Sequence, residues 1–147
     1  MEIRTITEHQ LDIIKPLWEQ LNSLHERLST NFKAHHNTFT FSERIKTVLS
    51  GDLWRIFTAF KKNMPVGYCI ASVKSGCGEI DSLFVAPEYR SAGIGGQLLR
   101  KTLEWLNEQP CDGITVLVAE GNEHAIPFYE QFGFKPKATL LKMARFS

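Results

Sequence analysis

Between Glu79 and Ala119 the hydrophobic period changes twice, and that change limits the folds open to the chain. Residues 79–85 read as a strand. Ile94, Leu98, Leu99, Thr102, Leu103 and Leu106 then line one face of a helix. Gln97, Arg100, Lys101, Glu104 and Glu108 lie largely opposite. Pro110 stops the helix, and Gly113 precedes a strongly apolar strand over residues 114–119. Strand, helix and strand in that order predict a right-handed crossover between parallel strands.

The junction between the first strand and the helix is rich in glycine. Ala86-Pro87-Glu88-Tyr89 makes the bend, and Arg90-Ser91-Ala92-Gly93-Ile94-Gly95-Gly96 opens the helix. A helix N-terminus carries unpartnered N–H groups and a partial positive charge, which suit a phosphate or pyrophosphate. Gly93 and Gly95 lack a β-carbon, so an anion can approach the backbone closely. Arg90 adds a charged donor. Glycines at such a junction also serve a tight bend, and the turn alone leaves both roles open. It is not a Walker loop, because no Gly-Lys-Ser/Thr follows. It is not a full dinucleotide fingerprint either, because Leu98 stands where the third glycine belongs.

The rest of the chain supplies the layers. Residues 2–6 read as a short strand. Leu11, Ile14, Leu17, Trp18, Leu21, Leu24 and Leu28 follow helical spacing, with Pro16 marking a start or a kink. Residues 29–41 show no period and read as a loop. Thr40 and Glu43 fit a capping box for a helix through Leu49 that Gly51 ends. Strand-like runs at 53–60, 66–73 and 79–85, with turns at 63–65 and 75–78, predict an antiparallel meander. A short helix over about 123–132 closes at Gly133, and strand-like sequence follows near 138–146. The fold class is α+β: a mixed, mostly antiparallel twisted sheet with helices on both faces, in the order β-α-α-β-β-β-α-β-α-β. A length of 147 residues without linker or repeat suits a single domain, residues 1–147.

Composition excludes several function classes. A net charge of +1 gives no electrostatic drive toward nucleic acid or an anionic membrane. No apolar run reaches the length of a membrane span. The first six residues are charged and alternating, without a signal-peptide core. Cys69, Cys77 and Cys111 are odd in number and lack metal-ligand spacing, which predicts reduced thiols in a cytoplasmic protein. Adjacent histidines such as His35 and His36 rarely converge on one ion, and no third ligand is suggested. No metal is expected.

A second constellation lies downstream: Asn122-Glu123-His124-Ala125-Ile126-Pro127-Phe128-Tyr129-Glu130-Gln131-Phe132-Gly133-Phe134. Together with Arg90-x-x-Gly93-x-Gly95 it resembles the GCN5-related N-acetyltransferase superfamily. Asn122, Ala125, Phe128, Tyr129, Gly133 and Phe134 match that family's later motif. The approach from Glu79 to Arg90 is also characteristic. The resemblance is strong over about residues 65–135. It implies an N-acetyltransferase that uses acetyl-CoA as acyl donor. Backbone groups of Leu83, Phe84 and Val85 would pair with the pantetheine arm as an added strand. Amides of Ser91, Ala92, Gly93, Ile94, Gly95 and Gly96 would bind the pyrophosphate beside Arg90. Asn122 would bond the pantetheine or thioester end, and Tyr129 would protonate the leaving thiolate.

The chemistry requires a base, because an alkylamine with a pKa of roughly 10 is mostly protonated at neutral pH. Glu79 matches a position where some relatives carry a catalytic glutamate; Asp81 or a water chain follows it. Strict alternation would place Glu79, Asp81, Leu83 and Val85 on one face. Relatives that use a glutamate five residues before the motif asparagine have no counterpart here, since that position is Leu117. Glu120 is out of register. Ser91 and Ala92 stand where many relatives have basic residues, so amides and the helix dipole would hold the phosphates. The acceptor is expected at Leu24 to Phe41 and the strand mouths: a small-molecule or peptide primary amine. Residues 135–147 leave room for a short final hairpin, or for one completed by a second subunit in a homodimer. A non-catalytic acyl-CoA-binding or sensing module is the alternative, and it would need neither Tyr129 nor a base.

Overall fold

The computed structural model describes residues 1–143. The meander is its centre: β2 (Leu53–Lys61), β3 (Met64–Lys74) and β4 (Cys77–Val85) pair antiparallel. β1 (Glu2–Thr5) adds antiparallel to β2, and β5 (Gly113–Val116) adds parallel to β4. The sheet order is β1-β2-β3-β4-β5. Both hairpins are tighter than the sequence indicates. Lys62-Asn63 and Ser75-Gly76 form two-residue turns with φ of 51°, 63°, 51° and 77°. Positive φ at both central positions matches the twist of the strands they join. Met64 and Pro65 therefore belong to β3, with Pro65 at a register shift beside Phe60.

Two cores flank the sheet. α1 (Lys15–Leu28) starts with Pro16 in its first turn, where the missing N–H costs nothing. α3 (Phe41–Leu49) begins on the expected capping box: Thr40 Oγ1 accepts from Glu43 N at 3.1 Å, and Glu43 Oε1 accepts from Thr40 N at 3.1 Å. Ile14, Leu17, Trp18, Ile45 and Val48 from this side pack on Ile56, Tyr68, Ile70 and Phe84. On the opposite face, Leu98, Leu99 and Leu106 of α4 (Ile94–Asn107) pack on Val66, Cys69, Ala71 and Ile80. Truncating a fully buried leucine such as Leu99 to alanine costs about 2–5 kcal/mol.

Three expectations change. The aperiodic stretch 29–41 contains α2 (Lys33–Thr38), held by tertiary bonds rather than by its own pattern. Asn22 Nδ2 donates to His36 O and Phe39 O at 2.7 and 3.3 Å, and Lys33 Nζ donates to Glu26 O at 3.0 Å. β5 ends at Val116 rather than at residue 119, because β4 turns away from it there. Residues 138–143 carry no strand, and 144–146 lie outside the described residues. Leu140 and Leu141 are adjacent and both exposed, so the segment has no apolar face to bury.

Candidate active site

β4 is not a regular strand. Its register with β3 slips between Ile70↔Ser82 and Ala71↔Ile80, which makes Asp81 the extra residue of a bulge. Ile80 packs toward α4, whereas Phe84 packs toward α1 and α3. Ser82 follows Phe84: its Oγ lies 2.8 Å from the hydroxyl of Tyr68, a member of the α1/α3 core. The face expected for Glu79, Asp81, Leu83 and Val85 is therefore split. Leu83 and Val85 pack on the α4 side. Asp81 lies with Glu79, Ser72 and Arg44 of α3 on the other side, and an Arg44 guanidinium nitrogen donates to the Asp81 carbonyl.

The bulge also marks where the sheet opens. β4 and β5 pair from Cys77↔Gly113 to Ile80↔Val116 and then part. Past that point β4 keeps only β3. Ala86 N donates to Val66 O at 2.8 Å, which fixes the alternation. By that alternation the N–H groups of Leu83 and Val85 face the opening. Val85 O also points there and accepts from Arg90 Nε at 2.9 Å. Leu117, 74% exposed, stands just past the last β5 pair.

The Gly-rich turn sits at the end of this open edge. Ser91 and Gly93 have φ of 72° and 77°, so the backbone coils tightly before α4. No side chain caps the helix start, and the first-turn amides are available to an anion. Ile94 is buried and anchors the turn. Gly95 and Gly96 face the aromatic segment that follows. A β-carbon on Gly95 would lie 3.7 Å from both Phe128 and Val85, and one on Gly96 would lie 3.6 Å from Phe132. Phe128 belongs to α5 (Ile126–Glu130), so α4 and this aromatic segment lie in contact at an ordinary distance.

Asn122 leads into the short turn Glu123–Ala125, and its N–H donates to Ala119 O at 2.9 Å. Tyr129 packs on the α4-side core, edge-on to Phe128 at 5.2 Å and to Phe134 at 5.8 Å. Burial raises its hydroxyl above the ordinary tyrosine value, so it remains a proton donor across the neutral range. Asp81 is pushed up to about 7, first by burial and then by the neighbouring Glu79 carboxyl, against the opposing pull of Ser72 and Arg44. Its Oδ2 is buried without a hydrogen-bond partner among the described residues. Burial pushes the Cys69 thiol up to about 12, which removes it as a nucleophile.

Leu83, Val85 and the turn from Arg90 to Gly96 thus lie along the open β4 edge, with Phe84 on the α1/α3 side, Tyr129 on the α4 core and Asn122 in the loop that follows β5. Glu79 and Asp81 approach from the α1/α3 side. A groove of about 390 Å³ between α1 and the end of β4 is lined by Ser23, Leu24, Arg27, Phe84 and Arg90 among others. Arg44 and Ser72 were not singled out in the sequence. Ser72 is a polar residue in an otherwise apolar run, and Arg44 lies on a short amphipathic helix; neither carries a motif.

The model of the family described as "Acetyltransferase (GNAT) family" matches residues 18–134. The chain is 25% identical over 137 residues to the peptidyl-lysine N-acetyltransferase YjaB of Escherichia coli (strain K12), covering 92% of this chain and 82% of that protein. Among solved structures, a putative acetyl transferase from Pyrococcus furiosus superposes with a TM-score of 0.75 at 23% identity, over 97% and 99% of the two chains. The aminoglycoside N-acetyltransferase AAC(6')-Iy in complex with CoA superposes with a TM-score of 0.70 at 18% identity, over 97% of each chain. These two likenesses establish the fold.

Proposed function

The chain belongs to the acetyltransferase (GNAT) family, and on that premise we propose that it moves an acetyl group from acetyl-CoA to a primary amine by direct attack. The observation that carries this reading is the opening of β4 from β5 beyond Ile80, with the uncapped amides of α4 at one end and the half-buried Asp81 carboxyl on the same strand. Acetyl-CoA supplies a thioester, whose carbonyl carbon accepts the amine and whose sulfur leaves. The residues present fit it. The N–H groups of Leu83 and Val85 can bond its amide-bearing arm as an edge strand would. Amides from Ser91 to Gly96 suit the pyrophosphate without added side-chain charge. Asn122 serves the thioester end.

Asp81 is the favoured base, in place of Glu79. It is a half-buried carboxyl whose Oδ2 is buried and unpartnered among the described residues, and its pKa near neutrality suits proton uptake. Glu79 tunes it as a like-charged neighbour. The Val85 N–H, at the open edge, is placed to stabilise charge developing on the carbonyl oxygen. Tyr129 delivers a proton from the α4 side to the departing sulfur. Base and acid thus act from opposite faces of the sheet, and the amine enters from the α1/α2 side. The YjaB relative is by name a peptidyl-lysine acetyltransferase. A lysine-like amine or a small alkylamine fits the same demand, because each needs one carboxylate to take one proton. Three free cysteines among the described residues support a cytoplasmic setting.

The cofactor part is tested at Gly93. Gly93→Asp keeps a residue that tolerates a left-handed φ and puts negative charge where the pyrophosphate would sit. CoA affinity should fall by at least about tenfold, on the order of the charge–dipole and phosphate terms lost. Unchanged affinity would mean that the turn is structural only.

A further inference from the structure

The segment between β5 and Asn122 is fastened to the end of α1. Glu120 Oε1 accepts from Ser29 Oγ at 2.7 Å and from Asn31 N at 3.1 Å, and Oε2 accepts from Thr30 N at 2.8 Å. Ser29 Oγ in turn accepts from Phe32 N at 2.9 Å. Ser29 is only 2% exposed. The next residue leaves no slack. Gly121 has a φ of 93°, and a β-carbon there would lie 2.2 Å from the Leu28 carbonyl oxygen and 2.5 Å from its carbon. The two backbones abut, and only glycine allows it. Gly121 N also donates to Glu123 Oε1 at 3.1 Å, a local bond that folds the loop around Asn122. One carboxylate thus joins the end of α1 to the residue two places before Asn122.

We infer that Glu120 is a positioning residue for acetyl transfer: it sets the α1–α2 junction, the acceptor-side wall, in register with Asn122 at the thioester end. The inference rests on the reading of the site given above. Two backbone amides and a hydroxyl hold the Glu120 carboxyl below the usual carboxylate range, so the fastening is charged at neutral pH. The physical need for it is orientation. Attack requires the amine and the carbonyl in a narrow geometry, and misplacement by ~1 Å costs about 10²-fold in rate. α2 has no strong helical pattern of its own and begins two residues after Asn31, so the wall depends on such bonds.

Two variants test this. Glu120→Ala removes all three bonds. Glu120→Gln keeps an oxygen for Ser29 and Asn31 but sets an NH2 group against the Thr30 N–H. Both are compared with wild type for CoA affinity, for acceptor KM and kcat, and for amide hydrogen exchange at Thr30 and Asn31 without CoA. The expected result is CoA affinity within about threefold of wild type. Acceptor kcat/KM should fall roughly 10²-fold in Glu120→Ala and less in Glu120→Gln, and both amides should exchange faster in the same order. Faster exchange with unchanged acceptor kinetics would overturn the inference, leaving a contact that is structural alone. Unchanged exchange would overturn it at its root. A wild type that binds no CoA and acetylates no amine would sink the functional reading itself, an outcome separate from any difference between the variants.

Discussion

Asp81 shows how a single residue escapes a pattern. The motif resemblance points to Glu79, and alternation places both carboxyls on the face of Leu83 and Val85. The bulge puts Asp81 with Arg44 and Ser72 on the other face, with Oδ2 buried and unpartnered. A bulge is set by cross-strand register, which no local sequence signal encodes. Tyr129, by contrast, is singled out by a motif of fixed spacing, and it packs on the α4-side core. Two outcomes follow for Asp81. The acid limb of kcat/KM should lie near pH 7 in wild type and vanish in Asp81→Asn, with the plateau down about 10²–10⁴-fold. A retained limb would pass the role to Glu79 or water. Stability gives an independent check. The folded-state pKa is raised, so the native state holds the extra proton between about pH 4 and 7, and the contribution is lost as pH rises through that window. Asp81→Asn should gain melting temperature relative to wild type at pH 8 compared with pH 5; a pH-independent difference would contradict the shift. Tyr129→Phe should lower kcat by about 10²-fold with cofactor affinity intact, and unchanged turnover would remove the hydroxyl from the mechanism.

At the scale of elements, the meander, the Pro16 helix start, the Thr40 capping box and α4 were readable because each is stated by a strong local period or cap. The tight hairpins were nearly so; Ser75-Gly76 and Lys62-Asn63 were obscured by glycine and proline just beyond them. α2 was not readable, because its bonds to Asn22 and to the Glu26 carbonyl of α1 make it rather than a hydrophobic period of its own. The length of β5 was overestimated for a related reason. Residues 117–119 have strand composition but lose their partner where β4 bulges, and a strand exists only by pairing. The same applies to 138–143, whose apolar residues find no edge. The mispredicted end of β5 is the opening on which the proposed chemistry depends. Removing a donor from that opening should weaken function without unfolding the chain: Leu83→Pro removes one of the two N–H groups that face it. CoA affinity should fall while the far-ultraviolet circular dichroism is retained, and an unaltered affinity would argue against strand-like pairing there.

Across the whole molecule, two cores flank one sheet, and on the proposed reading base and acid act from opposite faces of it. Asp81 lies with Ser72 and Arg44, Tyr129 packs on the α4 core, and Glu120 ties the end of α1 to the segment before Asn122. A ligand lying in the opening between β4 and β5 should stabilise the folded state as a unit. At a hundredfold excess over its dissociation constant, acetyl-CoA would add about 2.7 kcal/mol, or roughly 5–10 °C in melting temperature for a domain of this size. Binding alone would equally describe a sensing module, so turnover decides. The direct measurement is release of free CoA thiol from acetyl-CoA against a panel of primary amines, including a lysine peptide, with mass detection of the product. The account predicts thiol and acetylated amine in equal amounts for at least one amine. Binding of acetyl-CoA with no thiol release above the amine-free rate for any of them would contradict it.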